Sequence, residues 1–139
     1  VGVKTSLGIW AFGPMVTRFM AGGYQPQHGA QESVAEKVHR AVAGLGDLID
    51  GYEFHYPGEL SPDNLDDVRD ALGDHDVYAV ATGLHTDPRF GRGGLTSPDA
   101  QVRELARSLT REGAEFAGSL GANFVVWPGI EGYNYPFQT

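Results

Sequence analysis

Apolar positions along the chain gather into four short runs, separated by longer stretches with helical spacing. The runs are Val3 to Trp10 ("VKTSLGIW"), Leu48 to His55 ("LIDGYEFH"), Val77 to Gly83 ("VYAVATG") and Asn123 to Trp127 ("NFVVW"). Short apolar runs of this kind, bounded by turn formers, read as buried strands. Between them the spacing predicts three helices. Gln31 to Ala43 puts Val34, Val38 and Ala41 on one stripe and ends at Gly44 and Gly46. Ser61 and Pro62 read as N-cap and first helical position, with Leu65, Val68 and Leu72 as the stripe and Gly73 as the stop. Ser97 and Pro98 repeat that start, and Val102, Leu105, Leu109, Phe116 and Leu120 follow until Gly121.

The resulting order, β-α-β-α-β-α-β, predicts an α/β fold with parallel strands and crossover helices. No internal repeat, low-complexity tract or linker divides residues 1–139, so one domain is expected. Two architectures satisfy the pattern: a small open doubly wound sheet, or the first half of a (β/α)8 TIM barrel holding strands one to four. Neither has a natural stopping place after a fourth strand without a covering helix. The expectation is therefore a chain that is cut, or completed by another polypeptide, with open edges at strands one and four.

Composition narrows the chemistry. A net charge of −8 argues against a nucleic-acid groove or an anionic membrane surface, which both need clustered Lys and Arg. The chain has no cysteine, so disulfides, thiolate nucleophiles and Cys-ligated zinc are excluded. No apolar run approaches a membrane span and Lys4 interrupts the start, which makes the cytoplasm the expected compartment. Asp63, Asp66, Asp67 and Asp70 read as a solvated helix face. Neither a Ser-His-Asp grouping nor a His-x-x-x-His metal spacing is present.

In a parallel sheet all strands end on one side, and ligand sites gather there. That rule collects Trp10 after strand one, His55 after strand two, Thr82 and His85 after strand three, and Trp127 and Glu131 after strand four. Alternation puts Glu53 on the face of His55 and Val125 on the face of Trp127. Aromatic platforms beside a few polar groups suit a sugar ring, whose C–H faces lie on rings while its hydroxyls seek hydrogen bonds. Plainer readings stand beside these. The tryptophans could plug a barrel mouth, His55 could be a structural histidine, and His85 could be a solvated loop residue. Glu53, inside a strand, needs a partner. Gly91, Gly93 and Gly94 lack the Gly-Lys-Ser/Thr ending of a phosphate loop and read as a flexible surface loop.

The blocks "LGIWAFG", "YEFHYPGEL", "ATGLHTDPRFGRGGLTSPDAQVREL" and "GANFVVWPGIEG" resemble, in order and over nearly the whole chain, the xylose isomerase-like TIM barrels. The resemblance implies a sugar-converting enzyme of the isomerase or epimerase type, working by proton abstraction next to a carbonyl. It makes Trp10 and Trp127 walls of the sugar pocket and His55 the histidine that assists ring opening, with Thr82 near it. It further implies a divalent cation, Mg2+ or Mn2+, whose ligands come from strands five to eight, outside this segment. The partners it implies are a sugar or glycoside substrate and a complementary half-barrel or second subunit in an oligomer.

The sequence also departs from that family. Aspartates follow the histidine in xylose isomerases, where "HYPGEL" offers Tyr56, Pro57 and Gly58 with only Glu59 nearby. His85 replaces an aromatic wall after strand three. The ending "WPGIEGYNYPFQT" is similar to large subunits of C-glycoside deglycosidases, which gives cleavage of 3-oxo C-glycosides as an alternative activity. A non-catalytic four-stranded binding module is the alternative of a different class.

Overall fold

A computed structural model describes residues 2–13 and 32–128. They form one parallel four-stranded sheet in the order β1-β2-β3-β4. The strands are β1 (Ser6–Gly8), β2 (Gly51–Tyr56), β3 (Asp76–Thr82) and β4 (Asn123–Val125). The crossovers carry α1 (Val34–Leu45), α2 (Leu65–Leu72) and α3 (Ala100–Leu120). All three helices pack on one face. Val38 and Ala41 of α1, Val68 and Leu72 of α2, and Phe116 and Ala117 of α3 share a core with Tyr52, Phe54 and Val80 of the sheet. A doubly wound sheet would carry helices on both faces. Sequential strand order with one-sided helices is instead the pattern of half of a (β/α)8 barrel.

Side chains outside the Ser-Pro pairs cap α1 and α3, and α2 begins only after a turn, without a side-chain cap. Ser33 caps α1 by accepting from the Glu36 N–H, and Glu36 accepts in turn from the Ser33 N–H, so the helix opens at Val34. The predicted start at Gln31 lies outside the described residues. Asp99 caps α3 through the N–H groups of Gln101 and Val102, leaving Ser97 and Pro98 outside. Before α2, Ser61 and Pro62 lie in a turn, and Asn64 spends its side chain on that turn: its amide donates to the Glu59 carbonyl and its Oδ1 accepts from the Ser61 N–H. Gly121 closes α3 at φ 68, a left-handed conformation that glycine adopts freely.

Strand alternation sorts the sheet's two faces. On β2, Tyr52 and Phe54 point to the helices and are fully buried. Burial of each such ring stabilises by about 1.5–3 kcal/mol relative to exposure. Gly113 lets α3 come close to the sheet, since a Cβ there would stand 3.2 Å from Thr82 Oγ1 and 3.3 Å from the Tyr56 ring. The loop after β3 is built rather than loose. Phe90, Leu84 and Ala106 form a second cluster with Val102, Leu105 and Leu109 packed against it, and Gly93 makes its turn at φ 104. Gly93 and Gly94 are buried and Arg92 is exposed, so only part of the stretch read as a surface loop lies at the surface.

Candidate functional site

The face of the sheet opposite the helices opens on a cavity of about 360 Å3. Its floor is Ala79 and Ala81 of β3 with Val125 of β4, and Glu53 and His55 of β2 line its side. Trp10, His85 and Trp127 complete the wall.

Each ring reaches the cavity by a different local device. β1 stops at Gly8 because the chain turns there into a short 3-10 helix, Ile9–Phe12. That turn folds the Trp10 indole back over Gly8, where any Cβ would lie 2.2 Å from the ring. His85 sits in a 3-10 turn, Leu84–Thr86, fixed by the Thr86 hydroxyl and the Thr86 N–H, both donating to the Gly83 carbonyl. It is 5% exposed, which removes the reading of a solvated loop histidine. Trp127 follows β4 by two residues and is 45% exposed.

The four rings form a continuous row across the strand ends. The Trp10 and His55 centroids are 4.3 Å apart, those of His55 and His85 4.7 Å, and those of His85 and Trp127 4.4 Å. The last two contacts are edge-to-face, a geometry that aromatic quadrupoles favour.

His55 is held from behind by Glu59. Glu59 Oε2 accepts from the His55 backbone N–H and lies 2.9 Å from His55 Nδ1. A carboxylate oxygen accepts, so Nδ1 carries the proton and Nε2 is the nitrogen left for the cavity. The turn that returns Glu59 to the histidine is tightly bonded. The Glu59 and Leu60 N–H groups both donate to the His55 carbonyl, and Asn64 fixes the Glu59 carbonyl. The pair is buried, with side chains 9% and 13% exposed. The sequence offered Glu59 only as a nearby acid. Its role comes from the four-residue turn, which Pro57 and Gly58 allow.

The other expected residues divide. Trp10, His55, His85 and Trp127 are brought together, and Glu53 joins them with the partner that burial demands: the Ser6 hydroxyl donates to its Oε1 at 2.5 Å. Thr82 is not brought in. As the last residue of β3 it points to the helix side, against Gly113, where its buried hydroxyl has no hydrogen-bond partner among the described residues. Glu131 lies outside the described residues. Among the described residues no group of three or more His, Cys, Asp or Glu could hold a metal ion, so they do not fit the divalent cation that the resemblance implies. No described helix is long and apolar enough to cross a membrane.

Comparison with known proteins bears on this arrangement. No family model matches the chain. Curated xylose isomerases do. The one from Thermus thermophilus is 44% identical over 57 residues, 40% of this chain and 15% of that protein. The one from Bacillus spizizenii is 38% identical over 75 residues, 52% of this chain and 17% of the relative. The one from Bacillus velezensis is 36% identical over 83 residues, 55% and 19% of the two chains. These stretches make the chain similar to xylose isomerases over 40–55% of its length. The chain spans less than a fifth of the length of each of these relatives.

Proposed function

We propose that this chain supplies the substrate wall and an acid–base histidine to a sugar-isomerising barrel. The supporting observation is the His55 imidazole, locked by Glu59 at Nδ1 inside a row of four rings over an apolar cavity. The indoles of Trp10 and Trp127 offer faces to the C–H side of a sugar ring. Nε2 of His55 is poised to take the anomeric O–H proton as the bond from C1 to the ring oxygen breaks, and the imidazolium so formed returns that proton to the ring oxygen. Glu59 holds the imidazole in the required tautomer and steadies the imidazolium that forms. The divalent cation, Mg2+ or Mn2+, belongs to residues other than the described ones. A complementary half-barrel, on this polypeptide or a second one, is part of the same reading.

The test uses the protein that carries this chain, with D-xylose and D-glucose as substrates at neutral pH. His55→Asn keeps the size and one hydrogen bond but loses the titratable nitrogen, so turnover is expected to fall about 100-fold or more. An unchanged rate removes His55 from the chemistry. Absence of turnover in the unsubstituted protein, with added Mg2+ or Mn2+, overturns the isomerase reading itself.

A further inference from the structure

Glu53 is a carboxylate of the cavity to which proton exchange at His55 assigns no task. It precedes His55 by two residues on the same face of β2, which sets it one side-chain layer deeper, about 6–7 Å along the strand. Its neighbours in register are Gly8 on β1 and Ala79 on β3. Ala79 carries a single methyl, so space is left beside the carboxylate on the β3 side, while on the β1 side the Trp10 indole takes the place of a side chain at Gly8.

Two features of the fold set these surroundings. The Trp10 ring covers Gly8 and tolerates no side chain there. On the other side the register between β2 and β3 jumps: Tyr52 pairs with Val77, but Glu53 pairs with Ala79. Tyr78 is the extra residue of this bulge. Its Cβ lies 3.0 Å from where a Gly51 Cβ would stand, so it leans over Gly51 instead of standing beside Glu53. Bulges next to sites commonly re-aim a side chain in this way. Without it a tyrosine would occupy the place of Ala79 and fill the cavity at this depth. Oε1 of Glu53 accepts from the Ser6 hydroxyl, and Oε2 takes no hydrogen bond among the described residues.

We infer that Glu53 is a substrate-binding residue, its Oε2 accepting from a hydroxyl of a neutral polyol that reaches below the row of rings. The inference rests on the sugar-cavity reading and sharpens it. A ligand end that carries a hydroxyl can donate to Oε2. An end that carries a carboxylate or phosphate meets acceptor with acceptor and like charge with like. Glu53 therefore selects neutral sugars against sugar acids and sugar phosphates. The competing role is a clamp between β1 and β2, exerted through Ser6.

The experiment titrates the protein with D-glucose, sorbitol and glucarate, reading the fluorescence of Trp10 and Trp127, the two tryptophans of the chain. Glucarate is the sorbitol chain with a carboxylate at both ends, so either orientation brings a carboxylate to Glu53. Wild type is expected to bind sorbitol at least about 10-fold more tightly than glucarate, and Glu53→Gln to lose about 10-fold or more in sorbitol affinity. The ratio of the two affinities should move toward one in Glu53→Gln. That ratio does not depend on the fraction of variant that folds, so a purely structural loss would leave it where it was. Equal sorbitol affinity in wild type and variant, or an unchanged ratio, makes Glu53 a clamp and overturns the inference while the sugar reading stands. Binding of D-glucose without sorbitol overturns it as well. If neither sugar nor polyol binds wild type, the sugar reading falls and takes the inference with it.

Discussion

β2 is a six-residue strand with two unlike faces. Toward the helices, Tyr52 and Phe54 are fully buried and touch a core made of residues from all three helices. Toward the cavity, Glu53 and His55 stand beside Gly8, Ala79 and Ala81, among the smallest residues of the sheet. The first face gains by filling volume, because interiors are close-packed and every lost contact costs. The second keeps volume open and secures its polar groups one by one, Glu53 through Ser6 and His55 through Glu59. The same alternation serves both ends only because the neighbours of each face differ in size. A core face is recognised by what fills it, and a cavity face by what its neighbours leave out.

Substitutions that act on one face and spare the other measure this contrast. The largest effect is expected on the packed side. Phe54→Ala should lower stability by about 3–5 kcal/mol in urea unfolding, from lost transfer energy and the cavity left behind. The fraction that remains folded should bind sugar with unchanged affinity. A Phe54→Ala protein as stable as its parent would break the comparison.

Trp127→Ala should do the reverse. The ring is 45% exposed, so stability changes little, while the apparent sugar constant rises by about 10-fold through the lost stacking surface. Fluorescence titration and urea unfolding of the same preparation separate the two quantities. Loss of folding with normal affinity in the surviving fraction would make the ring a packing residue.

The smallest effect concerns the loop that delivers His85. Burial pushes the Asp87 carboxyl up, but hydrogen bonds from the Arg89 side chain and backbone more than offset this and hold it below the ordinary aspartate value. A lowered folded pKa stabilises the fold above the ordinary value, and that contribution is lost as pH falls through the lowered one. Asp87→Asn should therefore flatten part of the acid limb of stability between about pH 5 and pH 2. Arg89 is 60% exposed, so the change stays small. Superimposable urea midpoints across that range for wild type and variant would remove the ion pair from the account.

Much of this architecture is legible along the chain. Four apolar runs and three helical stripes announce the parallel α/β order, since burial periodicity is a local property of the residues themselves. The shared face of Glu53 and His55 follows from the two-residue period of a strand. The gathering of Trp10, His55, His85 and Trp127 follows from the rule that parallel strands end together. Glycines at Gly73 and Gly121 mark helix ends because their positive φ is cheap only for glycine.

Other features depend on contacts between distant segments, to which local periodicity is blind. The turn from His55 to Leu60, braced by Asn64, makes Glu59 the partner of the imidazole, though no pattern distinguishes it from other acids. One extra residue in β3 decides that Ala79 and not Tyr78 stands beside Glu53, because register is set by pairing across strands. That same pairing sends Ala81 to the cavity and Thr82 to Gly113, away from the residues it follows in sequence. Which residues form strands is written in neighbours along the chain. Which of them face empty space is written in neighbours across it.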